Sequence, residues 1–371
     1  MTRVLHVLDS NCHETHAQTL EILRARLDGA GGQLVAAVDA ESVARLSPHI
    51  GARVALTPRR IFSPLNLAPR LRSLSERERV DVVHAWSPQA AATARAAAPG
   101  APLVVTMLDP SMAPATARMM QSIDGDVSVI VGSQRSMRLL LEAGVDLDRI
   151  AVIRGPADFG AVNRAKQEGH RERLVGDAGP VIALHGPAVR GQGHFEGVWA
   201  CAIVRQIFPN LRVLLPYASA ERARVRRFAI RMTHPDFAIL PDSQMSWAEI
   251  LSAADVFLVP AIGDICTEPM GVAMASGVVC VGCAVHSVAE ILADRHNGLL
   301  CRDATMTSLA ERLITAIEDR ALVKQVTDVA RSQAFEVFGV RAFVDNYARA
   351  YQNLMDRKPV ADGVSDTAMV A

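Results

Sequence analysis

Short apolar runs alternate with helix-length segments along most of this chain. Val4–Leu8, Gln33–Val38, Val80–Ala85, Leu103–Met107, Val127–Val131 and Ile150–Ile153 are mostly apolar throughout. Continuous runs of that kind predict strands buried on both faces of a parallel sheet. Between them Thr15–Leu27, Gln89–Ala98, Ala113–Ile123 and Gln134–Glu142 have the length and pattern of helices, and the βαβ rhythm predicts a doubly wound domain. From Ala161 to Gly179 the pattern lapses into "AVNRAKQEGHRERLVGDAG", polar, charged and without a strand, which is the expected linker region. The rhythm then restarts. Strands are expected at Val181–Leu184, Leu211–Leu215, Phe237–Leu240, Val256–Val259 and Val278–Gly282, and helices at Phe195–Ile207, Ser219–Met232 and Trp247–Ala253. Two α/β domains, 1–160 and 180–340, are therefore expected to face each other across a cleft. Further helices are expected at Met306–Glu318, Leu322–Ser332 and Arg341–Met355, before a small polar tail at 358–371 that should fray.

Length agrees with two domains, since 371 residues exceed the roughly 250–300 at which one core stops growing. Half the residues are apolar and 21% charged, the balance of an ordinary soluble protein. The formal net charge of zero argues against a general attraction to nucleic acid or to an anionic membrane. The N-terminal "MTRVLHVLDSNCHETH" passes from a short apolar segment straight into polar residues, unlike a signal peptide, and no apolar run approaches the ~18 residues of a spanning helix. A cytoplasmic protein is expected. Of the six cysteines only Cys280 and Cys283 lie close together, in the apolar "GVVCVGCAV", where buried thiols on a strand are the simpler reading and no second pair completes a zinc site.

Two paired domains of this type can hold several ligands, so each candidate loop is tested on its residues. The turn after the first strand, "DSNCHETH", has no glycine, which excludes a dinucleotide fingerprint. "GPAVRGQG", Gly186 to Gly193, has the four-residue gap of a phosphate loop but not its Lys-Ser/Thr ending.

Several segments together resemble the retaining glycosyltransferases of family 4, which have the GT-B fold. "VDVVHAWSPQAAATARAA" is similar to a strand and helix of that family's acceptor domain, and "VIVGSQRSMRLLLEAGVDLDRIAVIRGPADF" to its strand, helix and interdomain turn. "SWAEILSAADVFLVPA", followed by "EPMGVAMASGVVCVGCAVHSVAEILADRHNGLLC", resembles the donor-domain signature in order and spacing. The resemblance runs from about Val4 to Met355. It implies transfer of a sugar from a nucleotide diphosphate donor to a glycan, lipid-linked or small-molecule acceptor, with no nucleic acid partner. It also implies a helix at 341–357 crossing back to the first domain. Peripheral membrane contact and a partner subunit stay open. No metal cofactor is expected, and the "D-x-D" run Asp146–Asp148 falls in a plain helix-to-strand turn.

The family's functional residues carry over unevenly. Its donor loop has two glutamates eight positions apart. Aligning Pro269 and the run Ala273-Met274-Ala275 puts Asp264 at the first and Val272 at the second, where valine cannot accept a hydrogen bond from ribose. At the diphosphate clamp Pro187 stands at the arginine and Gln192 at the lysine, with Arg190 and His194 nearby. The resemblance thus assigns Asp264 as the catalytic candidate. Donor-binding candidates are Arg190, Gln192 and His194 in the first loop, and Thr267, Glu268, Pro269, Met270 and Val272 in the second. Thr267 is expected to cap a short helix with Pro269 in its first turn, presenting N–H groups to an anion. His13, His84 and Asp109 are candidates for the cleft lining; His84, inside an apolar strand, also fits a satisfied core histidine.

Sugar transfer must stabilise a departing diphosphate and an oxocarbenium-like sugar. Each lost preorganised donor costs about 2.7–4 kcal/mol. Two readings therefore remain: a divergent glycosyltransferase built on another clamp, or a degenerate relative that binds a glycan or nucleotide, or supports a partner, without turnover.

Overall fold

A computed structural model of the chain describes residues 2–9, 14–27, 32–38, 54–55, 67–123, 125–177, 179–189, 192–219 and 221–356. Two all-parallel sheets dominate. The first joins seven strands, β1 (Val4–Leu8), β2 (Gln33–Ala37), β3 (Val54–Ala55), β4 (Val82–Ala85), β5 (Leu103–Met107), β6 (Val127–Val131) and β7 (Ile150–Val152), in the order β3-β2-β1-β4-β5-β6-β7. The second joins β8 (Val181–Leu184), β9 (Arg212–Leu214), β10 (Ala238–Ile239), β11 (Val256–Val259), β12 (Val279–Cys283) and β13 (Leu299–Cys301), in the order β10-β9-β8-β11-β12-β13. Both are doubly wound, with the order of strand addition reversing between β1 and β4 and again between β8 and β11. Ligand crevices in such sheets open at the carboxyl ends of the strands beside the switch. In the second sheet that end carries the two candidate loops, 186–193 after β8 and 260–267 after β11.

The apolar runs form strands because both faces are covered. All five residues of β1, β2 and β5 are buried. In β12, Cys280 and Cys283 point to opposite faces and join different cores, so they are buried free thiols, each pushed up to about 12 by burial. The short β3 and β13 have no counterpart among the predicted strands. Two or three residues are too few for a period to show, and pairing with a longer neighbour defines them.

The stretch expected as a linker instead folds as two helices, Phe159–Gln167 and His170–Val175. Val162 and Ala165 of the first are buried against Trp247 and Met270 in the second domain's core. Its polar composition is that of a helix with one thin apolar stripe. The last helix, Val340–Asp356, lays Phe343, Tyr347, Tyr351 and Leu354 on the first domain, against Val4, Leu20 and Trp86. At about 1.5–3 kcal/mol for each buried large apolar side chain, that stripe fixes the crossing. His84 lies beneath it, fully buried and stacked on Trp86 at 4.4 Å, with Nδ1 2.8 Å from the Tyr351 hydroxyl and Nε2 2.7 Å from Thr106 Oγ1. Among the described residues no helix is long and apolar enough to cross a membrane.

Candidate functional site

The helix Glu268–Ser276 carries the donor-loop candidates into the seam between the domains. Pro269 sits in its first turn, and Gly277, at φ +68°, ends it in the left-handed conformation. Thr267 occupies the cap position but makes no side-chain cap bond, contrary to expectation; its φ/ψ are already helical and its side chain is buried. Met270 is wholly buried in the core. Val272, four residues beyond Glu268 on the same face, lines a cavity in the seam.

That cavity measures about 250 Å³. Its walls come from Thr15 and Thr19 of the first domain's opening helix, Arg164 of the connecting helix, Trp247, and the pair Glu268 and Val272. Glu268 itself is buried. The Thr15 and Thr19 hydroxyls donate to its carboxylate, the latter at 3.3 Å, and burial nevertheless pushes its pKa up to about 7. Gly155, in the turn entering the second domain, makes room for it. A Cβ there would lie 2.3 Å from Glu268 Cγ.

The second cluster in the seam is ionic. Asp264 accepts a 2.7 Å bond from Arg135 Nε and a 2.9 Å bond from the Ser287 N–H. Burial alone would raise its pKa, but the Arg135 and Ser287 bonds and the Arg135 charge outweigh it and hold the carboxyl below its ordinary value. Glu290 accepts from the N–H groups of Gln134 and Arg135, at 2.9 and 3.1 Å, and from Arg154 at 2.6 Å. The positive N-terminus of the helix Gln134–Glu142 and two guanidinium groups of the first domain are thus matched by two carboxylates of the second.

The remaining candidates spread more widely. His194 starts the helix His194–Arg205, buried, with Nε2 donating to the His185 carbonyl at 2.7 Å and Nδ1 without a partner; burial lowers its pKa against that bond. Gly193, before it, has φ +78° and a virtual Cβ 1.7 Å from the Pro260 carbonyl oxygen, so only glycine brings the two loops together here. Gln192 is half-buried, its N–H bonded to Val189. Asp109 caps the turn Pro110–Met112 through the Ser111 N–H. His84 is enclosed in the core and does not face the cleft. Arg190 and His13 lie outside the described residues. Thr15, Thr19, Gly155, Arg135 and Arg154 were missed by sequence reasoning, since their partners lie more than a hundred residues away and no spacing announces them.

One group of side chains has metal-ligand geometry among the described residues: Glu168, His170 and Glu249, with ligand atoms within 4.8 Å of one another. It is an internal network. Arg173 donates to His170 Nδ1 at 2.7 Å, which leaves the proton on Nε2, 2.9 Å from Glu168, while Glu249 is held by the Ser246 N–H in a capping box.

The family model described as Glycosyltransferase Family 4 matches residues 23–159, and the one described as Glycosyl transferases group 1 matches residues 200–319. An N-acetyl-alpha-D-glucosaminyl L-malate synthase from Bacillus anthracis is 23% identical over 146 residues, 39% of this chain and 38% of that protein. HepE from Anabaena, whose crystal structure holds UDP and glucose, superposes with a TM-score of 0.79 at 16% identity, over 95% of this chain and 100% of the other. Sucrose-phosphate synthase from Thermosynechococcus elongatus gives 0.72 at 17% identity, over 95% and 99%. At those identities the structures show a shared fold. Matched by the family's models in both halves and by the GT-B fold along nearly its whole length, the chain belongs to the GT-B glycosyltransferases of family 4.

Proposed function

We propose that the protein transfers a glycosyl group from a nucleoside diphosphate sugar to an acceptor hydroxyl with retention of configuration, the donor seated in the seam beside Glu268 and Val272. The observation that carries this reading is the cavity walled by those two residues at the N-terminal end of a nine-residue helix, facing the first domain's opening helix. HepE, similar in fold, holds UDP and glucose. In the transfer the bond from the anomeric carbon to the diphosphate breaks, a bond to the acceptor oxygen forms on the same face, and the acceptor proton leaves with the diphosphate. In this reading the leaving charge meets Arg164, an exposed cation that lines the cavity wall together with Asp158 and Glu21. The Glu268 carboxyl, with a pKa of about 7, offers the sugar either a donor or an acceptor near neutrality. A volume of about 250 Å³ is below the roughly 300–1,000 Å³ of drug-sized sites, so it seats part of the donor, the rest following the seam.

A second reading, binding without turnover, is favoured by two particulars: Val272 offers ribose no acceptor, and Asp264 is already paired with Arg135. The experiment is a panel of uridine, guanosine and adenosine diphosphate sugars, scored by thermal shift and by released nucleoside diphosphate, with the product's anomeric configuration read by NMR. Turnover with retention supports the proposal. A thermal shift with no release supports the second reading, and no shift with any donor overturns both.

A further inference from the structure

The outer face of the second domain carries an apolar ridge beside a strongly basic helix. On the helix His194–Arg205 and the turn that continues it, Trp199, Ile203 and Ile207 recur every four residues and so share one face. They are 43%, 38% and 54% exposed. The neighbouring helix Arg222–Met232, "RARVRRFAIRM", packs against this one through Phe228, whose ring lies 5.3 Å from Phe195 and 6.0 Å from Trp199. It contains no acidic residue. Arg222 turns inward to the Pro241 carbonyl at 2.8 Å, whereas Arg224, Arg226, Arg227 and Arg231 are exposed, and Met232 ends the helix at the surface. The nearby Glu221 engages Arg224, and Asp236 is engaged by Arg205 and Arg212.

We infer that this face docks on an anionic lipid surface, the arginines meeting headgroup phosphates while Trp199, Ile203 and Ile207 enter the headgroup–acyl boundary. The chain's formal charge of zero makes the attraction local. A membrane interface takes both halves of the pattern: apolar side chains with tryptophan on one ridge, clustered basic residues alongside. Nucleic acid matches the arginines but gives two isoleucines and a methionine nothing to contact, and a protein partner gives no reason for exposed arginines beside the ridge of which three, Arg226, Arg227 and Arg231, meet no acidic partner among the described residues. The inference is independent of the donor proposal, because none of these residues lines the seam.

The test uses the full chain with vesicles of phosphatidylcholine alone and of phosphatidylcholine with phosphatidylglycerol in equal parts. Co-sedimentation is expected only with the second, weakening as salt rises. Trp86 and Trp247 are buried, so the third tryptophan, Trp199, should report docking by a blue shift of emission. Replacing three arginines together, Arg226→Glu, Arg227→Glu and Arg231→Glu, should lower partitioning by about a hundredfold, and Trp199→Ser should abolish the blue shift. Equal binding to both vesicles, no binding to either, or an unaffected triple variant would overturn the inference. So would a dimer in solution that Trp199→Ser dissolves, or capture of duplex DNA by this face in place of vesicles.

Discussion

Asp264 and Glu268 are four residues apart on one loop and helix, both reach across the same seam, and their acidities move in opposite directions. Asp264 meets a guanidinium and an N–H, so its charge is compensated and its pKa falls. Glu268 meets two hydroxyls in a buried pocket, and its pKa rises to about 7. Hydroxyls satisfy a carboxylate's lone pairs without offsetting the cost of taking its charge out of water. One side of the seam is therefore an ionic closure and the other a neutral pocket poised to change charge near neutral pH. A carboxylate already neutralised by protein is poorly placed to act on a sugar, whereas one held near its midpoint can give or take a hydrogen bond. On this comparison the proposed chemistry falls to the Glu268 side.

The largest effect expected is on pH dependence. Glu268 has an ordinary value of 4.5 and a folded value of about 7, so the native state binds the extra proton between them and stability declines as pH rises through that window. Above it the buried charge costs the native state on the order of 3 kcal/mol. Glu268→Gln should therefore be more stable than the parent at pH 8 by that order and no different at pH 4, as read by urea unfolding. Asp264→Asn should behave oppositely. Its folded value is depressed, so its contribution is present above the ordinary value of 3.8 and is lost as pH falls below it.

On the ionic side, Arg135→Ala should cost about 2 kcal/mol, the worth of a charged hydrogen bond between partly buried groups, in the same urea assay. An unchanged midpoint would mean that the ionic pair does not hold the seam. Gly155→Ala should cost on the order of 1 kcal/mol through overpacking. Because it pushes Glu268 off its seat, it should also erase the Glu268 pH signature while leaving that of Asp264 intact. Smallest in stability but informative for function, Val272→Glu places a second carboxylate beside Glu268 and should weaken uridine diphosphate about tenfold by calorimetry. Tighter binding would instead mean that the site is a degraded ribose pocket awaiting its lost acceptor.

Much of the two-domain rhythm was legible because parallel strands buried on both faces read as unbroken apolar runs. Leu103–Met107 and Val256–Val259 appear in the structure with the boundaries their patterns predict. The connecting helices were not, because Val162 and Ala165 form a stripe too narrow to stand out in a charged stretch. The loop and helix holding Asp264, Glu268 and Val272 could be found from their order and from the run after Pro269. What each carboxylate meets could not. Asp264 depends on Arg135, 129 positions away, and Glu268 on Thr19, 249 away. Contacts assembled by domain docking leave no periodic trace.

The central claim, that the donor lies in the seam beside Glu268, is tested most directly by hydrogen–deuterium exchange with and without UDP-glucose. Slowed exchange is predicted in the first turns of Glu268–Ser276 and in Glu14–Leu27, whose Thr15 and Thr19 face the cavity. Protection confined to other elements, with these two helices unchanged while the nucleotide sugar is bound, would contradict it.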